Sequence, residues 1–267
     1  MSKKWVASRP ASRRRATWWA RSREGAVVLE RRSGHETGSG QEPRSDQEIL
    51  AVIETGSDVE SWAGSGTGPG HGHGKAIPGH EARRWLPLVC HPTSPASPDS
   101  EVRARWAWTP AGDLALDYLL IAPRRALLIP PCVTASRQDG LWRHSCCEAF
   151  IGVRGETGYR EFNFSPSGDW ALYAFSDYRV PLASPGVAEA DAAPQGRCDR
   201  HRHLWRLRAR IPAGLLPGLA SPADWLMGLA AVVETAGGGL SYWALSHPAP
   251  LPDFHHPAGR LLAVARP

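Results

Sequence analysis

The sequence lacks any long hydrophobic run, so no segment is expected to span a membrane. No hydrophobic stretch follows the three arginines at 13–15, so a secretory signal peptide is not expected either. The five cysteines are an odd number and have no framework spacing, which indicates free thiols in a reducing compartment. From these absences we expect a cytoplasmic protein that contacts no membrane.

Familiar catalytic motifs are also missing. The sequence contains no HExxH, no GxSxG elbow and no glycine-rich phosphate loop after a strand. Three carboxylates, Glu148, Glu161 and Asp169, would be the candidates for a glycosidase pair. The sequence does not give their separation, and we expect a binding protein and not an enzyme.

Basic charge is concentrated at the N-terminus. The formal net charge is +5, yet residues 1–23 hold eight Lys or Arg and no acid, whereas residues 81–267 hold 19 basic and 17 acidic residues. No basic stripe marks the second region, so nucleic-acid binding by the folded domain is not expected. The basic head, with Trp18 and Trp19, could touch nucleic acid or anionic lipid, but a solvated tail is the simpler interpretation.

Residues 1–80 have the composition of a disordered extension. Arg- and Ser-rich pieces precede a Gly-rich piece at 64–74, and such a segment buries too little apolar surface to offset its ordering entropy. One short helix is expected at 46–54, where Ser45 and Glu48 form a capping box. We therefore expect a basic, Gly-rich extension over 1–80 and one folded domain over 85–267.

The most regular pattern lies between Asp139 and Arg179. Three runs alternate with a period of two, which is typical of half-buried strands. Glycines at 155 and 158 bracket the first connection, and the turn residues SPSGD at 165–169 make the second. The pattern predicts a three-stranded antiparallel meander.

One face of this meander gathers polar side chains. Glu148, Glu161 and Asn163 fall on it, and Trp142 lies on the loop that enters it. An aromatic ring stacks on the C–H face of a pyranose, while carboxylates and amides bind its hydroxyls. These residue types on one face predict a sugar site.

Structural roles compete with ligand binding at some positions. Trp170 and Trp243 are further candidates for stacking, but core packing is favoured because both lie inside strands. A carboxylate at position 148 in an apolar strand needs a partner, and an ion pair explains it as well as a ligand does. The candidate cations for that pair are Arg143, Arg160 and Arg179.

The remaining patterns add strands and almost no helix. Hairpin 101–121 and strand 203–211 each alternate apolar residues with arginines, which predicts solvated arginine faces. Residues 225–233 are apolar on both faces and predict a central strand, whereas the Pro-rich 180–200 predicts a surface loop or lid. Nine or ten strands at these intervals predict an all-β antiparallel sandwich.

Three segments carry a resemblance to a known family: DGLWRHSCCEAFI at 139–151, YREFNFSPSGDWALYAFSDYR at 159–179 and YWALSHPAPLPDFHHP at 242–257. Together they resemble the bacterial DOMON-like domain, over roughly residues 85–266. That family is related to the family-nine carbohydrate-binding modules and to the DOMON cytochromes. The resemblance implies a β-sandwich whose relatives bind sugars or haem, and the binding modules lack catalysis.

In the sugar-binding branch, tryptophans clamp a terminal sugar while Glu, Asn and Arg side chains bind its hydroxyls. The resemblance implies this role for Trp142, Glu148 and Asn163. Glu161 stands where that branch favours a basic residue. The expected ligand is accordingly a carbohydrate or a sugar-derived small molecule.

Two other functions stay open. The C-terminal segment offers His247, His255 and His256 as metal or haem ligands, and the Gly-rich segment offers three more histidines (His71, His73 and His80). DOMON cytochromes use Met and His as axial ligands, but Met1 and Met227 are the only methionines here. The other alternative is a protein-interaction module that binds a partner through a sheet edge or the basic tail.

Overall fold

The computed structural model describes residues 84–265, except 95, 98, 124–125, 132–133, 184–192, 202 and 218–223. The described residues all belong to one compact unit. The expected helix at 46–54, the three histidines of the Gly-rich segment and the basic tail lie outside the described residues.

Twelve β-strands and three single 3-10 turns make up the regular structure of the described residues. No helix in this part of the chain is long and apolar enough to cross a membrane. The all-β prediction is confirmed. The strands are β1 (Leu86–Cys90), β2 (Glu101–Trp108), β3 (Leu114–Ile121), β4 (Cys146–Val153), β5 (Tyr159–Phe164), β6 (Trp170–Asp177), β7 (Val180–Pro181), β8 (Gln195–Arg200), β9 (Leu204–Ile211), β10 (Trp225–Glu234), β11 (Leu240–Ala244) and β12 (Leu262–Val264).

Strand β1 connects two antiparallel sheets. Its first half, Leu86–Leu88, pairs with β2 in a sheet with the order β1-β2-β3-β9-β8. Its second half, Val89 and Cys90, pairs with β11 in a sheet with the order β7-β6-β5-β4-β10-β11. Strand β12 pairs with the first residues of β10 and extends the second sheet.

A hydrophobic core fills the space between the sheets and makes the fold a sandwich. Tyr118 of the first sheet and Phe162 and Leu229 of the second are at most 1% exposed. The Tyr118 hydroxyl donates to the main-chain carbonyl of Glu148 over 2.7 Å, a hydrogen bond that joins the two sheets. Successive side chains of a strand point to opposite faces of the sheet. In β4 and β5, every second side chain points into this core, so the side chains between them lie on the outer face of the second sheet.

The meander predicted between Asp139 and Arg179 is present as β4, β5 and β6. Glu148 lies directly opposite Asn163, and Phe150 lies opposite Glu161, which in turn lies opposite Tyr173. This register places the polar residues of β4 and β5 on the outer face of the second sheet, as the alternation predicts.

Two details of the sequence prediction are wrong. Arg105 and Arg206 were expected on solvated faces, but they are 4% and 5% exposed and both donate to Asp117. Burying a guanidinium is costly unless a carboxylate pairs with it, and Asp117 lies between them on β3. The segment 180–200, expected to be a loop, contains β7 and β8, and β8 pairs with β9 along its whole length.

Candidate functional site

A cleft of about 380 Å³ opens on the outer face of the second sheet. Its walls are mostly aromatic, with six rings from five separate parts of the chain. Four groups able to carry charge also line it. The rings are Trp142, Phe150, Tyr173, Phe175, Tyr242 and Phe254, and the other four residues are Glu148, Glu161, Arg179 and His255.

Trp142 forms one rim of the cleft. It lies on a 3-10 turn, Leu141–Arg143, which follows Gly140 in the left-handed conformation (φ 80°) that favours glycine. The indole is 40% exposed, and its edge contacts the ring of Tyr173 at a centroid distance of 5.6 Å. The guanidinium of Arg143 lies 5.9 Å from the indole centroid. Trp142 is therefore a large, accessible ring beside the polar floor.

Glu148 and Glu161 form the floor of the cleft. Glu148 is 2% exposed, and its Oε1 has no hydrogen-bond partner among the described residues. Burial, and then the nearby Glu161, raise the pKa of Glu148 well above its ordinary value. Burial also raises the pKa of Glu161 to about 7, against the opposing effects of an Asn163 hydrogen bond and the Arg179 charge.

Asn163 lies behind these two carboxyl groups. It is fully buried, and its Nδ2 donates to Glu161 Oε1 over 2.7 Å. Its own carbonyl oxygen, Oδ1, has no hydrogen-bond partner among the residues that the structure describes. Asn163 thus orients Glu161 and does not itself line the cleft.

The opposite wall is formed by the segment 252–255 and the end of β6. His255 Nδ1 is 2.8 Å from the Tyr159 hydroxyl, and His255 Nε2 is 3.7 Å from Glu161 Oε2. The main-chain N–H of Arg179 donates to the same hydroxyl over 3.1 Å. Burial, and then the charge of Arg179, lower the pKa of His255 to about 4, so the imidazole is neutral at pH 7.

Arg179 is held at the rim by an ion pair. Its Nη2 donates to Asp253 Oδ1 over 2.8 Å, and Tyr178 donates to the other oxygen of the same carboxylate over 2.7 Å. Burial tends to raise the pKa of Asp253, but these hydrogen bonds and the Arg179 charge lower it overall. The ion pair fixes the segment that carries His255 next to the end of β6.

The structure separates the predicted site residues into three groups. Trp142, Glu148 and Glu161 line the cleft, and Asn163 supports it from behind. Trp170 and Trp243 do not line it. Trp243 is 6% exposed and donates to Ser241, and both indoles pack against the core between the sheets, the position that the sequence favoured for them.

The arginines proposed as ion-pair partners of Glu148 are used elsewhere. Arg160 donates to the carbonyl of Leu215, Arg179 pairs with Asp253, and Arg143 lies over Trp142. No ion pair of Glu148 is present among the described residues.

The histidines considered for metal or haem have separate environments. His247 contacts the carbonyl of Val89 over 2.8 Å, His256 caps a 3-10 turn, and only His255 lines the cleft. In the part of the chain that the structure describes, no three His, Cys, Asp or Glu residues form a group able to hold a metal ion. Met227 is fully buried in the core. The three histidines and Met227 therefore do not provide a pair of axial haem ligands in this cleft.

Sequence reasoning missed most of the cleft's aromatic walls. Tyr173, Phe175, Tyr242 and Phe254 line it, and Arg179 and His255 complete it. The alternation of β6 and β11 could have placed Tyr173, Phe175 and Tyr242 on the outer face. Nothing in the sequence indicates that the segment 252–255 folds over that face.

Comparison with known proteins gives a likeness in fold only. No protein-family model and no curated protein matches the sequence. Among solved structures, a "putative carbohydrate-binding protein" from Bacteroides uniformis is 17% identical with a TM-score of 0.47, over 67% of this chain and 84% of that one. The resemblance to DOMON-like domains accordingly stays a prediction from the sequence.

Two further similar structures are complexes of a family-nine carbohydrate-binding module from Caldicellulosiruptor kristjanssonii with two different sugars. The complex with cellotriose is 8% identical, with a TM-score of 0.40 over 61% of this chain and 72% of that one. The complex with glucose is 10% identical, with a TM-score of 0.37 over 67% of this chain and 82% of that one. At these values the function of this chain has to be argued from its own cleft.

Proposed function

We propose that this domain binds a saccharide in the cleft without catalysing a reaction. The observation that carries the proposal is a buried carboxyl group, Glu148, at the floor of a cleft that has a large exposed indole at its rim. A buried carboxyl without an ion pair is costly to maintain, so a structural role alone explains it poorly. An aromatic platform beside polar groups matches the two surfaces of a sugar ring.

The dimensions favour a small ligand. A volume of about 380 Å³ lies near the lower end of the range of about 300–1,000 Å³ that is common for ligand pockets. One or two sugar units suit this cleft better than a long polymer segment. The ligand's C–H face would stack on Trp142, and its hydroxyls would bond to Glu161.

The placement of the carboxyl groups supports binding over hydrolysis. Glu148 and Glu161 lie on neighbouring strands and line the same floor. Glycosidases need two carboxyl groups that flank the scissile bond, with one able to protonate the leaving oxygen. Two groups beneath one side of a ligand do not provide that arrangement.

The test is calorimetric titration of the full chain with glucose, cellotriose and a wider panel of mono- and disaccharides. We expect at least one to bind, and Trp142→Ala to weaken it by at least about tenfold because the stacking surface is lost. Trp142→Phe, which keeps a smaller ring, should lose less. Failure of every sugar, or unchanged affinity in folded Trp142→Ala, would contradict the proposal.

A further inference from the structure

We propose that Glu148 is a positioning residue that stays protonated and donates a hydrogen bond to Asn163 Oδ1, so that the Asn163 amide holds Glu161 in place for the ligand. The protonation of Glu148 is inferred from the hydrogen-bond geometry of Glu148 and Asn163 and does not depend on the proposed function. Its role in binding rests on the proposed function.

Two buried acceptors without donors carry the inference. Glu148 Oε1 and Asn163 Oδ1 have no hydrogen-bond partner among the described residues, and both atoms are inaccessible to solvent. The two residues lie directly opposite each other on β4 and β5. Side chains in such pairs have Cβ atoms about 4.5–5.5 Å apart, within reach of one hydrogen bond.

A proton on Glu148 satisfies both atoms at once. Without it, two buried oxygen acceptors on opposite residues would lack a donor among the described residues, and each unsatisfied group would cost stability. A protonated carboxyl is a donor, and the carbonyl oxygen of Asn163 is an acceptor. The amide nitrogen of Asn163 donates to Glu161 Oε1, and Glu148 Oε1 receives no hydrogen bond from it.

The surroundings decide which of the two carboxyl groups keeps the proton. Glu161 lies 3.7 Å from His255 and is influenced by the charge of Arg179, whereas Glu148 has no cation close by among the described residues. The raised pKa of Glu148, which follows from burial and from Glu161, agrees with this assignment. The other ionisable or charged groups around the pair are Tyr118, Cys146, Cys147, Tyr159, Tyr173, Arg179 and His255.

The resulting order of hydrogen bonds runs across the floor of the cleft. Glu148 donates to Asn163, and Asn163 donates to Glu161 Oε1. The second oxygen of Glu161 faces His255, whose other nitrogen is bonded by Tyr159. Each step fixes the next side chain, so Glu161 is oriented before any ligand enters. Such preorganisation reduces the entropic cost of binding.

Infrared spectroscopy tests the protonation without any ligand. At pH 8, above the pKa of about 7 for Glu161, we expect wild-type protein to show the carbonyl stretch of a protonated carboxylic acid. This band should disappear in Glu148→Gln and persist in Glu156→Gln, a control at an exposed turn outside the cleft. No such band in the wild type at pH 8, or a band that survives in Glu148→Gln, overturns the inference.

Sugar titration tests the positioning role. Glutamine at position 148 is neutral and can donate to Asn163 Oδ1, so Glu148→Gln should bind the best sugar of the panel within about threefold of wild type. Glu148→Leu, which leaves Oδ1 without a donor, should bind at least about tenfold more weakly (about 1.4 kcal/mol). Equal loss in both variants would show that Glu148 acts as a carboxylate, and would overturn the inference while leaving saccharide binding intact. If no sugar binds, the proposed function fails, and the infrared result alone decides the protonation of Glu148.

Discussion

At the scale of single residues, the chemistry of the cleft depends on how burial changes ordinary side chains. Glutamate side chains are usually exposed in proteins, but Glu148 and Glu161 lie at the base of a cleft with aromatic walls. Removing water disfavours their charged forms and raises the pKa of both. The same loss of water lowers the pKa of His255.

The raised pKa of Glu148 predicts a pH-dependent stability. The unfolded chain loses this proton near pH 4.5, whereas the folded chain keeps it to a higher pH, so the contribution of Glu148 to stability falls as pH rises through that window. Relative to Glu148→Gln, wild type should be less stable at pH 8 than at pH 5, with a loss of up to about 1.4 kcal/mol per pH unit while only the folded chain keeps the proton. Denaturant unfolding at both pH values measures this, and Glu156→Gln should behave like wild type. A stability difference that does not change with pH would contradict the prediction.

Tyr159 provides a second prediction at this scale. Its hydroxyl contacts His255 Nδ1 and accepts from the main-chain N–H of Arg179, which links β5 to both parts of the wall opposite Trp142. Tyr159→Phe should reduce the free energy of unfolding by about 1–2 kcal/mol, because both partners lose a partly buried hydrogen bond.

Tyr173→Phe is the matched control for Tyr159→Phe. Its hydroxyl donates to Asp139 in an exposed position. Its loss should cost no more than about 0.5 kcal/mol. Equal costs in the two variants, measured by denaturant unfolding, would show that the Tyr159 hydroxyl does not hold the wall.

At the scale of structural elements, the meander supplies the floor and a C-terminal segment supplies the wall. Strands β4, β5 and β6 are joined by short turns, so their register is local and their alternation predicts which face each side chain takes. The segment that carries Phe254 and His255 reaches the cleft only because the chain passes back over β10.

Gly228 allows this close passage. A Cβ at position 228 would approach the carbonyl oxygen of Gly259 to 3.0 Å, so the backbone around Pro257–Gly259 would have to move. Gly228→Ala should destabilise the protein by about 1–3 kcal/mol and weaken sugar binding, because the wall shifts with its backbone. Gly214→Ala, where a Cβ meets nothing within 4 Å, should change stability by less than about 0.5 kcal/mol. Thermal unfolding and calorimetry check both, and a neutral Gly228→Ala would refute close packing here.

At the scale of the whole molecule, the two sheets enclose one core, and the cleft lies outside it. Trp243 packs in the core, whereas Trp142 stands at the rim. Replacement of Trp243 is therefore expected to affect stability, whereas replacement of Trp142 is expected to affect binding.

Alanine substitution separates these roles. Trp243→Ala should reduce the free energy of unfolding by about 3–5 kcal/mol through the cavity that it leaves. Trp142→Ala should change it by no more than about 0.5 kcal/mol and act on binding alone. Chemical denaturation of both variants measures the difference. A large loss of stability in Trp142→Ala would show that the rim indole is structural.

Much of the architecture could be predicted from local pattern. The alternation in β4 and β5 assigned Glu148, Glu161 and Asn163 to one face, and the turn residues at 165–169 gave the meander. The burial of Arg105 and Arg206 could not be predicted, because it depends on the pairing of β2 and β9 with the two sides of β3, and thus on Asp117. Strand β8 was missed because it pairs with β9 despite a polar sequence.

By itself, the sequence determined the strand periodicity and the face on which each meander residue lies, since both follow from the fixed two-residue repeat of an extended chain. Only the tertiary structure decided that this face is a cleft, that Trp142 stands at its rim while Trp170 and Trp243 pack inside, and that His255 closes it. Those outcomes depend on contacts between residues far apart in the chain, which the packing of two sheets creates and no local repeat encodes.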